Sequence, residues 1–446
     1  MDRRQFIKQS TFLSLGGLLI PSTLLSSCRK EILFEDVNFD GTVIIIGAGA
    51  AGLYAGYILN SKGIEFKILE ASNTIGGRMG KLNGFADYTI DTGAQWLHGQ
   101  NNILADLIKT KNVKTTLDES ELSYWFNNQI VTSLPKDPFI FEKENLPDVS
   151  FKDYAHQQGF GNEYDNIVEA IAGDQGASAS LLSAYWNSKD EENWVSGDED
   201  YKFQKSYFEV IEEHISQPIL DKIALNTPVQ SIDYSSDKII VRDVNNVSHL
   251  ADKVIITIPI SILKLNEISF NPSLPPEKTE AFAKFGMGPG MKVFLKFSSK
   301  FYADALYGGS ICGAYVNDTL GKQTSDNVLL AFVMGDQAAY LHSLGSDTAI
   351  TNALLQELDL IYNGQATTSF IASRVFDYTS KPFIKGAYGF STINMGNARE
   401  IAALPVDKKL YFAGEAMNTN GHHQTVHGAV ESGYNAVINF LNDSKK

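Results

Sequence analysis

Cysteine is nearly missing from this chain: of 446 residues only Cys28 and Cys312 are thiols. A disulfide framework is therefore excluded, and so is the paired-cysteine spacing of a structural zinc site. Positive charge is also in short supply. Lys and Arg number 37 against 52 Asp and Glu, a formal net charge of -15. That balance argues against a nucleic-acid partner and weakly favours cationic small molecules, although acidity also serves plain solubility. Internal repeats and low-complexity tracts are lacking. With 43% apolar and 20% charged residues the composition is that of a globular protein, and the length suits about two domains.

No apolar run reaches the roughly 20 residues of a membrane helix. The longest candidate, from Phe12 to Leu25, is broken by Gly16, Gly17 and Pro21. It follows Arg3-Arg4 and Lys8 and ends in Leu25-Ser26-Ser27-Cys28. The arrangement resembles a bacterial twin-arginine signal closed by a lipobox, with Asp2 where Ser or Thr is usual. On that reading residues 1–27 are a signal and Cys28 is lipidated. Residues 28–40 form a tether, and the protein is an exported lipoprotein anchored to a membrane of the cell envelope. Cys312 then has no thiol partner, so stability must come from the core or from a bound cofactor.

The strongest motif follows the tether. In "TVIIIGAGAAGLYAGYIL" an apolar strand enters Gly47-Ala48-Gly49-Ala50-Ala51-Gly52, a G-x-G-x-x-G turn opening a helix. Gly47 permits the tight turn, Gly49 lets the backbone approach a pyrophosphate, and Gly52 lets helix and strand close together. Glu70 ends the next strand about twenty residues on, where a carboxylate accepts both ribose hydroxyls and repels a 2′-phosphate. Dinucleotide binding follows from the pair. Farther along, "PVQSIDYSSDKIIVRDV" reads as a hairpin and "ADKVIITIPISIL" as a buried strand closed by Pro259. The acidic run Lys189 to Asp200 reads as a solvated loop.

"GMKVFLKF", Gly290 to Phe297, alternates. Met291, Val293, Leu295 and Phe297 line one face of a strand, with Lys292, Phe294 and Lys296 on the other. Periodicity alone makes both lysines solvent-facing.

Several stretches carry a family resemblance. "IGGRMG" (Ile75 to Gly80) resembles the Gly-Gly-Arg signature of flavoproteins of the amine oxidase, polyene desaturase and protoporphyrinogen oxidase group. "DTGAQWLHG" (Asp91 to Gly99), the segment Phe270 to Phe297, "KPFIKGAY" (Lys381 to Tyr388) and "YFAGEAMN…TVHGAVESG" (Tyr411 to Gly433) narrow it further. Together they resemble the flavin-containing amine oxidases, nearest the polyamine oxidase branch, in the same order from Thr42 to Leu441.

The resemblance implies an α/β fold: a Rossmann-like FAD-binding domain and an interleaved α+β substrate domain with a mixed sheet flanked by helices. Residues 41–100, 218–275 and 390–446 would form the FAD-binding domain, and 101–217 and 276–389 the substrate domain. It implies FAD contacts from Gly47, Gly49, Ala51 and Gly52 at the turn, and from Glu70, Ala71, Gly77 and Arg78 after it. Gly93, Ala94, Gln95 and Trp96 would pass the isoalloxazine. Val229 would meet adenine, and Gly414, Glu415, Thr425 and Val426 would close the C-terminal side. Lys292 is implied as the catalytic lysine that holds a water at flavin N5, and His98 and Tyr388 as substrate-pocket residues. The implied reaction oxidises an amine C–N bond to an imine and reduces dioxygen to hydrogen peroxide, after which water releases an aldehyde.

Departures from the family pattern matter equally. Ala387 replaces the cysteine that bonds FAD in mitochondrial monoamine oxidases, so non-covalent FAD is expected. Thr425 replaces their second cage tyrosine, and Phe376 stands where Trp is frequent. His98 and Tyr388 also have plain packing readings, and His422, His423 and His427 read as polar loop histidines rather than metal ligands; no metal site is expected. An L-amino acid oxidase remains an alternative and would need a carboxylate clamp, for which Arg374 is the candidate. A polyene-type dehydrogenase would not need the lysine strand. A non-enzymatic flavin-binding lipoprotein is the reading outside enzymology. A chromatin demethylase role conflicts with the export signal.

Overall fold

The computed structural model describes residues 39–138 and 146–445. The signal expected over 1–27, Cys28 and nearly all of the 28–40 tether lie outside the described residues.

An unbroken apolar run suits a strand covered on both faces, and Thr42–Ile46 is such a strand. It lies at the centre of a five-stranded parallel sheet, ordered Ile223–Ala224, Glu65–Leu69, Thr42–Ile46, Lys253–Ile256, Leu410–Phe412. Val43 and Ile45 enter one core, which holds the helices Ala50–Ser61 and Val426–Asp443. Ile44 and Ile46 enter a second core with Ile256, Phe282 and Phe412. The sheet is thus sandwiched in the manner of a doubly wound nucleotide fold. The expected hairpin forms between Val229–Asp233 and Ile239–Asp243. The helix Tyr207–Ile211, inside the stretch assigned from sequence to the substrate side, packs into the first core beside Leu53 and Phe66.

The chain leaves this sheet twice to build a second, seven-stranded mixed sheet. Its order is Phe370–Asp377, Gly290–Phe297, Asn327–Met334, Ala314–Asn317, Ala305–Tyr307, Leu122–Phe126, Gln129–Val131. Neighbours run antiparallel except Ala305–Tyr307 and Leu122–Phe126. The expected combination of a Rossmann-like sheet and an interleaved α+β region is therefore what the chain forms.

Alternation in Gly290–Phe297 sorts its side chains as expected, but both faces are covered and only Lys296 keeps partial contact with water. Met291, Val293, Leu295 and Phe297 are buried in a core with Leu354 and Leu358 of the helix Asp347–Ile361. On the reverse face Phe294 packs with Phe85, Ile90 and Leu330. The segment around 85–96 lies over that face, which single-strand periodicity has no means of registering. Lys296 is half-buried rather than a surface residue. Its Nζ pairs with Asp326 at 2.8 Å and donates to the Phe85 carbonyl at 3.1 Å.

The acidic run is a largely exposed loop only over residues 193–199, and its two ends are not. Its first residues belong to the helix Ala184–Glu192, where Asp190 accepts from Ser391 and pairs with Arg399. Its last, Asp200, opens the strand Asp200–Phe203 and pairs with His98. Partners supplied from distant sequence let these carboxylates leave bulk water. Burial still raises the Asp190 pKa, partly offset by the Arg399 guanidinium.

Leu295 is fully buried on a strand paired along both edges. Leu295→Ala should therefore cost about 2–5 kcal/mol, read as a lower midpoint in thermal or urea unfolding.

Candidate active site

The Gly-rich turn is shaped from its own backbone. Gly47 has φ +103°, and Thr257 Oγ1 donates to the carbonyls of Ile46 and Gly47 at 2.9 and 3.1 Å. At Gly52 an added Cβ would sit 2.0 Å from the Gly47 carbonyl oxygen, so only glycine lets the helix close on the turn. At Gly49 a Cβ would meet nothing within 4 Å. It would project into open space at the N-terminus of the helix Ala50–Ser61, which has no side-chain cap. Unpaired N–H groups and open space together form an anion cradle. Glu70 is buried, and its carboxylate accepts the N–H of Ala48 at 2.6 Å and of Ser72 at 2.8 Å. Those two bonds fix its orientation toward the cavity.

One cavity of about 510 Å³ runs from this turn to the seven-stranded sheet. Every residue assigned from sequence to the cofactor or substrate lines it except Gly52, which lies behind the wall as the spacer between helix and turn. Ala51, Ala71, Gly77, Gly93, Ala94 and Val229 contribute small or apolar surface, and Gly414 joins them from the C-terminal side. Arg78 Nη1 pairs with Glu415 at 2.7 Å and donates to the Ala387 carbonyl at 2.9 Å. Glu415 also accepts from the N–H groups of Gly389 and Gln424. This knot ties the Gly-Gly-Arg segment to both C-terminal motifs. Thr425 caps the helix Val426–Asp443, accepting from Gly428 N at 2.9 Å and donating to the His422 carbonyl at 2.7 Å. The first turn of that long helix, beginning at Val426, faces the cavity and favours negative charge there.

Lys292 is 3% exposed. Its Nζ donates to the Gly93 carbonyl at 2.6 Å, to the Asp91 carbonyl at 3.4 Å, and to Gln95 Oε1. The Trp96 ring centroid lies 5.6 Å away. Burial lowers the Lys292 pKa to about 8, opposed by the charges of Asp318 and Asp91. Burial raises the Asp91 pKa to about 6, against hydrogen bonds from Ser206 and the N–H groups of Tyr207 and Phe208. Trp96 Nε1 donates to Asp118 at 2.7 Å. Burial alone would push Asp118 upward, yet Lys202 and the donors Ser120 and Trp96 hold it below the ordinary carboxylate range.

His98 Nδ1 lies 2.6 Å from Asp200 Oδ1, and Tyr388 donates to the Asp174 carbonyl at 2.9 Å. Both line the cavity, as do Asp118, Asp174, Asp200 and Tyr307, which sequence reasoning missed. Those carboxylates carry no motif, and they come together only through strand pairing and loops. Thr257 was more accessible to sequence reasoning, because it follows the buried strand Lys253–Ile256, where ligands of parallel sheets bind. Arg374 is exposed and does not line the cavity. His422 and His423 lie in the loop before the helix Val426–Asp443 and His427 in its first turn; all three are buried, and His422 Nδ1 lies 2.8 Å from Glu431.

The family model described as flavin containing amine oxidoreductase matches residues 50–204 and 208–438. The chain belongs to that family. Probable polyamine oxidase 4 of Arabidopsis thaliana is 27% identical to this flavin-containing amine oxidase, over 94% of this chain and 90% of its own length. Human lysine-specific histone demethylase 2 is 28% identical over 95% of this chain, which spans only 56% of the demethylase. In fold, wild-type putrescine oxidase bound to putrescine superposes with a TM-score of 0.76 at 20% identity, covering 91% of this chain and 99% of that one. This amine oxidase is an enzyme, and FAD is its cofactor. The open cradle at Gly49, the buried Glu70 and the continuous cavity fit that elongated dinucleotide.

Two substitutions in the same turn should separate folding from cofactor retention. Gly49→Ala, with φ already at -78°, should leave apoprotein unfolding within about 1 kcal/mol of the parent and lower bound FAD. Gly52→Ala should lower apoprotein stability itself by about 1–3 kcal/mol. Unfolding of flavin-stripped protein and the flavin-to-protein absorbance ratio distinguish the two.

Proposed function

We propose that this amine oxidase converts an amine to an imine at the expense of dioxygen. Hydrogen peroxide would form, and water would then release an aldehyde and a shorter amine or ammonia. The substrate class is a polyamine or another primary or secondary amine. The observation that carries this reading is the placement of Lys292 and the carboxylates Asp118, Asp174 and Asp200 around one cavity with the nucleotide cradle.

Bound FAD supplies the two-electron acceptor. The protein must present a neutral amine beside it, since an ammonium has no lone pair to donate. An apolar wall of Met291, Phe332, Met334 and Tyr388 disfavours the charged form at the reacting nitrogen. Carboxylates elsewhere in the same cavity suit the remaining ammonium groups of a polyamine. Asp174 is held there by Tyr307, whose hydroxyl donates to its Oδ2 at 2.7 Å, and Asp200 by His98. Lys292, solvated by backbone carbonyls and Gln95, would hold a water at the flavin edge. Ala387 supports non-covalent FAD, because an alanine methyl offers no thiol for attachment.

The exposed position of Arg374 removes the carboxylate clamp that an L-amino acid oxidase would have needed there. Export as a Cys28-lipidated protein of the cell envelope, with a membrane contact through that anchor, is part of this proposal. It rests on Arg3-Arg4 and the Leu25 to Cys28 stretch.

Anaerobic titration with putrescine, spermidine, an aromatic monoamine and amino acids should bleach the flavin band with amines only. Bleaching by amino acids alone would replace the proposed substrate class. Acid precipitation should release all flavin into the supernatant. Lys292→Met should slow flavin reduction or reoxidation by at least about tenfold, followed by stopped-flow absorbance; unchanged rates would remove its assigned role. In cells, Cys28→Ala should abolish incorporation of labelled fatty acid.

A further inference from the structure

Lys292 is held by a group that is itself held. Gln95 presents Oε1 to the ammonium, and its Nε2 donates to Asp318 Oδ1 at 3.4 Å. Asp318 is 5% exposed and follows the strand Ala314–Asn317. Its backbone N–H donates to the Val328 carbonyl at 3.1 Å, and its Oδ2 accepts from Tyr88 at 2.6 Å. The residue is thus anchored through its backbone and through Oδ2, with Oδ1 left for Gln95. An amide side chain has two ends of similar size, so a donor or acceptor beyond it decides which end faces the lysine. A carboxylate accepts only, and it therefore turns the Gln95 carbonyl oxygen toward Lys292 rather than the NH2 group.

We propose that Asp318 is the positioning residue of this active site: through Gln95 it orients the acceptor for Lys292, and it sets a buried negative charge one side chain away from that ammonium. The inference deepens the proposed function and rests on Lys292 as the flavin-side lysine. Other charged groups surround the same site and set the background. Asp91 directs its carboxylate to Ser206 and the start of the helix Tyr207–Ile211. Lys202 pairs with Asp118 at 3.2 Å, and Lys322 donates to the Phe203 carbonyl at 2.8 Å. Tyr378 donates to the Thr92 carbonyl at 3.1 Å. Asp318 alone among these reaches Lys292 through a hydrogen-bonded side chain, by way of Gln95. Burial without it would favour the neutral amine.

The test is a pH titration of the visible flavin band in oxidised holoenzyme, since a nearby charge shifts that band without turnover. Wild type should show an inflection near pH 8 that Lys292→Met abolishes. Removing a negative charge favours the neutral amine, so Asp318→Asn should move the inflection down by about one unit. Asp318→Glu should largely restore it. Tyr88→Phe strips a donor from the carboxylate and concentrates its charge, so the inflection should rise. It also decides the matter if Asp318→Asn retains no flavin. A wild-type inflection that neither Asp318→Asn nor Tyr88→Phe moves would overturn the positioning role while leaving Lys292 in place. Absence of any Lys292-dependent inflection would overturn both.

Discussion

A lysine ammonium taken out of water must be resolvated by the protein, and at Lys292 the solvating atoms come from another part of the chain. Gly93, Asp91 and Gln95 provide them, nearly two hundred residues earlier in sequence. Breaking such a contact leaves a buried charge uncompensated, which costs several kcal/mol. The segment running past the expected flavin position is therefore pinned against the seven-stranded sheet. The segment Asp91 to Gln95 and the strand Gly290–Phe297 are thereby joined at the wall of the cavity.

The rest of the site is organised by similar long-range ties. Arg78, Glu415 and the backbone of Ala387 and Gly389 connect three segments that motif reading treats separately. Glycine has a complementary part. Gly52 removes bulk so that helix and strand close, whereas Gly49 leaves bulk absent so that a ligand can enter. The two glycines are three residues apart and serve opposite ends of the same packing problem. Their difference follows from which direction each Cα–H vector points along the turn.

Carboxylates show how net charge is put to use. The chain is acidic overall, yet several acidic residues are withdrawn into structure. Asp190, Asp200 and Asp118 each find a cationic or imidazole partner at partly buried positions. Of these, Asp118 and Asp200 line the cavity, and carboxylates anchored in this way hold a fixed geometry, as the proposed recognition of an amine requires. A surface charge of the same sign would be screened within about 8–10 Å by physiological salt.

Much of this protein was legible in the residues themselves. The apolar run Val43 to Ile46, the glycines after it and Glu70 specify a strand, a turn and an acid at the end of the next strand by local geometry alone. Alternation in Gly290–Phe297 correctly divided its two faces, because the pleat has a period of two whatever surrounds it. What lies over each face is a long-range property. Water was the wrong expectation that periodicity alone gave for Lys292 and Lys296, and a solvated loop held for the middle of the acidic run but not for its ends at Asp190 and Asp200. The carboxylates of the cavity wall, the buried histidines and the Asp318–Gln95 link share the same origin. Each depends on which distant segments the fold brings within hydrogen-bonding range. Local sequence encodes strand, turn and helix through short-range sterics, while charge burial and site geometry are decided only when the two sheets close on one another.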